Sequence, residues 1–217
     1  MYMFVMEEMV VMHKGRVISG FLKHRTIIFP NIPTTRPTTD AIKEALFNCL
    51  RHRFNLNFEE WSVIDAFAGS GALGIEAISL GTPFVLFFEQ NPIAYSTICK
   101  NITNLGIGKH SAVLRADVTK YRMNNLLHKF SNKILIIMDP PYKETHILKN
   151  LIKKFATMFH KHKLIITAET DNVSAFTDMP CTHVISGSGS KKILISQFTN
   201  SSDFELKKLE ETEKLEA

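Results

Sequence analysis

"DAFAGSGALGIE", residues 65–76, sets an acid and three glycines between a strand-like run and a helix-like one. Upstream, "SVIDAFA" (62–68) is almost continuously apolar, as in a strand buried on both faces. Downstream, "ALGIEAISLG" (72–81) reads as a helix that stops at Gly81. Gly69, Gly71 and Gly74 stand at the junction in G-x-G-x-x-G spacing. Glycine allows positive φ and close approach of a ligand to the backbone, and the helix start offers free N–H groups. Several cofactor classes are held this way, so the loop predicts a cofactor without choosing among them. A tight turn with no ligand is the plain alternative.

The pattern continues outward from this junction. "PFVLFFE" (83–89), "SAVLRAD" (111–117), "KILIIMD" (133–139) and "KLIITAE" (163–169) read as further strands. Between them lie the helical segments 91–106 and 144–159 and a weaker one through Leu126 and Leu127. Strands joined by helices in this rhythm specify a parallel sheet covered on both faces. The end breaks the rhythm: "THVIS" (182–186) and "KKILISQF" (191–198) are joined by "GSGS" with no helix between them. That is a hairpin, so one strand near the sheet edge must run antiparallel. A Rossmann-like, mostly parallel seven-stranded sheet finishing in this way is the architecture of the class I AdoMet-dependent methyltransferases. A dehydrogenase sheet usually continues in parallel.

Ahead of this core, "RVISGFL" (16–22) and "RTIIFP" (25–30) are separated by Lys23 and His24 and read as a small hairpin. "NIPTTRPTTD" (31–40) is a loop. A helix follows, capped by Thr39 or Asp40, with Ile42, Ala45, Leu46, Cys49 and Leu50 on one face. The expected division is 1–60 as an N-terminal extension, 61–200 as the cofactor-binding core and 201–217 as an acidic tail, helical or disordered.

Composition narrows the class. The 217 residues suit one domain with a sizeable core. No apolar run reaches membrane-spanning length, and the Met-rich start lacks a small-residue cleavage site, so neither a membrane protein nor a secreted one is expected. Cys49, Cys99 and Cys181 are widely spaced, which predicts neither a disulfide framework nor a zinc site and fits a reducing cytoplasm. No metal site is expected among the scattered histidines. The net charge of +5 is uneven, because the tail from Asp203 onward is acid-rich. The remaining body is therefore more basic, which admits a polyanionic partner.

Acids at strand ends choose the cofactor. Asp65, just ahead of the glycines, would repel a pyrophosphate but favours the ammonium and sulfonium of AdoMet. Glu89 ends the second core strand, where it can accept from both ribose hydroxyls. Asp117 ends the third, where it can accept from an adenine amino group. Each alone could equally be a helix N-cap; three in register at the carboxyl ends of a sheet point to a ligand crevice.

The fourth strand also ends in an acid, within "MDPPY" (138–142). Exocyclic amino groups of bases are weak nucleophiles because their lone pair is delocalised into the ring. Asp139 and the carbonyl of Pro140 could accept both N–H bonds and aim the lone pair at a methyl donor. Pro140 and Pro141 stiffen the turn, and Tyr142 could stack on the base. The chemistry so indicated is direct methyl transfer to nitrogen.

With "RPTTDAIKEALFNCL", "DAFAGSGALGIEA", "FFEQN" and "MDPPY" in that order, the chain resembles the RsmD family over about residues 17–198. These are bacterial enzymes that methylate N2 of guanine-966 in 16S ribosomal RNA. The resemblance implies that Asp65, Gly69 and Gly71 line the methionine end of AdoMet, Glu89 the ribose and Asp117 the adenine, with Phe67, Gln90 and Val118 also in the cofactor site. Asp139, Pro140, Pro141 and Tyr142 would hold the target base. Arg16, Lys23, Arg25, Arg36 and Thr38 of the extension would contact RNA. It further implies a cytoplasmic monomer acting on 16S rRNA, naked or within the 30S subunit. A DNA amino-methyltransferase would normally need a recognition domain for which 217 residues leave little room. Protein glutamine methyltransferases generally have NPPY at this turn. A non-catalytic ribosome-assembly factor of the same fold is the alternative from a different class.

Overall fold

The computed structural model describes residues 13–32, 39–121, 127–140, 145–180, 183–187 and 190–198. A two-stranded antiparallel ladder, β1 (Lys14–Arg16) and β2 (Thr26–Ile28), precedes helix α1 (Asp40–His52). The core then runs β3 (Ser62–Asp65), α2 (Ala72–Ser79), β4 (Val85–Phe88), α3 (Pro92–Leu105), β5 (Ser111–Leu114) and β6 (Lys133–Met138). It closes with α4 (Thr145–Met158), β7 (Lys163–Thr170), β8 (His183–Ser186) and β9 (Lys192–Phe198). The seven core strands form one sheet in the order β5-β4-β3-β6-β7-β9-β8. All pairs are parallel except β7 with β9 and β8 with β9, so β9 alone is reversed. The expected terminal hairpin is thus present, with its second strand inserted between β7 and β8.

The helices begin and end for local reasons. Thr39 Oγ1 caps α1 by accepting from Ile42 N–H. Asn91 caps α3, its Oδ1 accepting from Ile93 and Ala94, ahead of Pro92, and Gly106 closes that helix at φ 69°. The sheet separates two apolar layers. Val63, Leu135, Ile137 and Ile165 face α1, α2, α3 and the N-terminal ladder. Ile64, Ile136, Met138 and Ile166, one residue out of phase, face α4. The N-terminal ladder and α1 therefore share a core with the sheet. Of the weaker helix expected near Leu126, residues 122–126 lie outside the described residues, and Leu127–Lys129 is a single 3-10 turn. No helix among the described residues is long and apolar enough to cross a membrane.

The expected N-terminal hairpin is present, and its tip is pinned to the core. Lys14, Gly15 and Arg16 pair with Ile28, Ile27 and Thr26, Val17 N–H donates to Arg25 O and Val17 O accepts from His24 N–H (both 2.9 Å), and the segment from Ile18 to Lys23 then turns onto α2. The reason is two polar side chains on that helix. Glu76, fully buried, accepts from Ile18 N–H (3.0 Å), Ser19 N–H (2.6 Å) and Ser19 Oγ (2.5 Å). Ser79 Oγ accepts from Leu22 N–H at 2.9 Å and donates to Ser19 O. At the tip, Gly20 adopts φ +76° so close to the Ser79 carbonyl that a Cβ would lie 1.8 Å from its oxygen.

Candidate functional site

From β3 the chain crosses to β4 on one side; from β6 it crosses to β7 on the other. Between the two crossovers the carboxyl ends of β3 and β6 open as a crevice. The glycine loop forms one wall. Gly69 (φ 56°) and Gly71 (φ 79°) both occupy the left-handed region that side chains avoid. Ala68 N–H donates to Phe88 O and Ala66 N–H to Ile137 O, each at 2.9 Å, tying the loop to both neighbouring strands. Gly74 answers to packing: a Cβ there would lie 2.2 Å from the Phe87 ring, so α2 could not sit this close to β4.

Two of the acids expected to hold a cofactor, Glu89 and Asp65, bond to the glycine segment. Glu89, half-buried, spans it: Oε2 accepts from Gly69 N–H (2.8 Å) and Oε1 from Asn91 N–H (2.7 Å). Asp65 is buried and accepts from Gly74 N–H at 3.0 Å. Burial, reinforced by the charges of Asp139 and Glu89, outweighs that hydrogen bond and pushes its carboxyl up to about 7. Asp117 accepts from the amide and hydroxyl of Thr119 at 2.9 and 2.6 Å and pairs with Lys120. Burial would raise its pKa, but the Thr119 bonds and Lys120 prevail and hold it below the usual carboxylate range. Val118 is buried, Phe67 packs against the α4-side core, and Gln90 is exposed.

Lys154 was not legible as part of this region. From α4 its Nζ donates to the carbonyls of Val118, Thr119 and Tyr121 at 2.9–3.0 Å, clamping the turn after Asp117. In sequence it is an ordinary lysine on an amphipathic helix.

Asp139 and Pro140 stand half-buried past the end of β6, one strand over from Asp65. Asp139 borders a narrow cleft between sheet and helices. Ile42 and Leu46 of α1 and Leu73 of α2 form one side; Asp139, Thr167, Glu169 and Ile193 are among the strand residues on the other. Glu169, absent from the expected set, is therefore part of the site. Pro141, Tyr142, Arg36 and Thr38 lie outside the described residues.

The basic residues of the extension share one hairpin. Arg16 is held by Asp40 at the start of α1 (3.1 Å), and its carbonyl accepts from the buried Lys43 at 2.8 Å, beside the helix turn that supplies Ile42 to the cleft. Arg25 lies across the hairpin from Val17, next to Arg16, and Lys23 sits two residues back in the turn. That turn docks at Ser79, one length of α2 (about 12 Å at 1.5 Å per residue) from the glycine loop. Arg25 also reaches Asn104 O, near the far end of α3. One buried residue links ladder and loop: Asn101 exchanges hydrogen bonds with both backbone groups of Ile28 and donates to Ser70 O, all at 2.9 Å.

The family model described as "Conserved hypothetical protein 95" matches residues 15–196. The chain is 36% identical over 151 residues to the Ribosomal RNA small subunit methyltransferase D of Buchnera aphidicola subsp. Acyrthosiphon pisum (strain APS), covering 69% of this chain and 71% of that protein. With the protein of that name from Escherichia coli (strain K12) the identity is 28% over 159 residues, 72% of this chain and 76% of the relative. Among solved structures, Escherichia coli yhhF superposes with TM-score 0.64 at 21% identity, covering 87% of this chain and 99% of that one. The M. jannaschii tRNA m1G37 methyltransferase gives TM-score 0.56 at 15% identity, over 87% of this chain and 56% of that one. With the sheet order, these likenesses establish the class I methyltransferase fold.

Proposed function

The chain belongs to the family described as Conserved hypothetical protein 95, the RsmD family, and from that premise we propose that it methylates the exocyclic N2 of a guanine in small-subunit ribosomal RNA, guanine-966 of 16S rRNA. The observation that carries this reading is the position of Asp139: it follows β6 directly, one strand over from Asp65 and close enough for its charge to act on that carboxyl, and it borders the cleft beneath α1 and α2.

The cofactor is S-adenosyl-L-methionine, which supplies an electrophilic methyl group, and the residues present suit it. Left-handed Gly69 and Gly71 keep the loop backbone bare of side chains. Each oxygen of a carboxylate can accept more than one bond, so Glu89 can hold the loop and still accept from the ribose hydroxyls. Asp117, fixed by Thr119 and Lys154's turn, takes the adenine amino group. Asp65 lends negative charge once ionised. Asp139 and the Pro140 carbonyl accept the two N–H bonds of the target amine, so its lone pair is turned out of conjugation and fixed in direction. Positioning and electrostatic support suffice, and no covalent intermediate is required.

The extension, residues 1–60, contacts the RNA. Arg16, Lys23 and Arg25 of the hairpin serve in this contact, together with Arg36 and Thr38.

Asp65 makes cofactor binding pH-dependent. Its carboxyl titrates near 7 in the free protein, whereas the ammonium and sulfonium favour its charged form. AdoMet affinity should therefore rise as pH climbs from 6 to 8, with proton release on binding below pH 7. Calorimetry in buffers of different ionisation enthalpy reads both, and Asp65→Asn should flatten the dependence. The same shift acts on stability. An unfolded Asp loses its proton near 4 and the folded one near 7, so this group's contribution falls as pH rises between those values and is level above them.

The decisive experiment incubates small subunits from a bacterium lacking the modification with this protein and radiolabelled AdoMet, then identifies the labelled nucleoside. Label in N2-methylguanosine is the expected result. Label in another nucleoside or in protein, or none despite AdoMet binding, would overturn the assignment.

A further inference from the structure

The cleft beside Asp139 contains a second carboxylate that the chemistry above leaves unused. Residues Ile137 and Met138 of β6 pair with Thr167 and Ala168 of β7, so one step further Asp139 and Glu169 are neighbours on adjacent strands. Both border the same cleft, whose other lining is largely apolar: Ile42, Leu46, Leu73 and Ile193. Glu169 is 8% exposed, whereas its partner Lys191, entering from the start of β9, is half exposed. Lys191 engages Oε1; among the described residues no donor reaches Oε2. A buried ion pair contributes little to stability against an apolar replacement. A few polar groups in an otherwise apolar cleft are what orients and selects a ligand.

We propose that Glu169 and Lys191 form the subsite that reads the Watson–Crick edge of the target base, Glu169 accepting from guanine N1–H and Lys191 donating to O6. The proposal rests on the guanine-N2 reaction proposed above. A guanine edge presents, in order, an amino group, a ring N–H and a carbonyl. The cleft presents acceptors at Asp139 and Glu169, and Lys191, paired with Glu169 from outside the lining, supplies a cation beside them. Adenine and cytosine carry an amino group beside an unprotonated ring nitrogen, whose lone pair would face the Glu169 carboxylate. Asp139 alone can hold any of these amines. Glu169 supplies the reason that only guanine is accepted, because leaving a buried carboxylate against a lone pair is far more costly than a lost contact.

The probe that separates these roles is 2-aminopurine, ligated into the small-subunit RNA at the target position. It keeps the amino group but has a bare N1 and no O6. Wild-type protein should methylate it at least about a hundredfold less efficiently, in kcat/KM, than guanine. Glu169→Gln can donate its amide to the bare N1, so the guanine preference should shrink by about tenfold or more. Lys191→Met should lower kcat/KM on guanine and leave 2-aminopurine nearly unchanged. Equal treatment of the two bases by wild type, or an unaltered ratio in Glu169→Gln, would overturn the proposal. So would weakened AdoMet binding with the ratio intact, which would place Glu169 on the cofactor's ammonium. Should Glu169→Gln fail to fold, Lys191→Met decides by the same ratio. Failure of wild type to methylate guanine at all would instead refute the reaction itself.

Discussion

Asp139→Ala is expected to lower kcat by roughly a hundred- to a thousandfold, the loss typical of one pre-set polar group at a reacting centre, while the AdoMet Kd stays within about threefold. In the proposed reaction Asp139 touches the amine, and its work is done only when the lone pair must be directed. The residues proposed for the cofactor's ribose and loop contacts, Glu89 and Gly69, lie on the β4 side of the crevice. Removing the Asp139 charge also relieves the repulsion on Asp65, so cofactor binding loses nothing through that neighbour. Asp139→Asn keeps an acceptor oxygen and should recover part of the rate. Single-turnover rates and calorimetric affinities on the same preparations test this. Near-normal turnover in the alanine variant would remove Asp139 from the mechanism.

Glu76→Ala is expected to cost about 3–5 kcal/mol of unfolding free energy, a large loss because buried donors are stranded. Its buried carboxylate accepts from three donors of Ile18 and Ser19. Glu76→Gln retains one acceptor oxygen and should fall between. Urea denaturation gives the loss, and hydrogen exchange locates it, because the amides of Ile18 and Ser19 should lose protection by at least about a hundredfold. Unchanged melting with intact protection would mean that the Gly20 contact and the Ser79 hydrogen bonds hold the segment by themselves.

Much of the crevice was legible in the sequence because it depends on backbone conformation and strand order. Gly69 and Gly71 had to be glycine for their left-handed φ, and "GSGS" had to make a hairpin because no helix separates the strands it joins. The acids ending β3, β4 and β6 were recognisable because each follows an apolar run whose length places it at the carboxyl edge of a parallel sheet.

Legibility failed where a residue's meaning depends on a distant partner. "RVISGFL" reads as a strand by composition, yet Glu76 and Ser79, some 57 to 60 positions away, supply better partners for its backbone than a longer ladder would. Lys154 and Asn101 look like ordinary helix positions until the carbonyls they serve are brought beside them. Glu169 ends an apolar run just as Asp139 does, but only the packing of α1 and α2 over that edge makes it a cleft residue.

The sequence by itself determined where the strands lie along the chain, the glycine loop and the acids at the strand ends, because hydrophobic period and backbone sterics act over a few residues. Only the tertiary structure decided which buried polar group answers which. A hydrogen bond is directional and short, so its partner is chosen by where the folded chain brings the backbone.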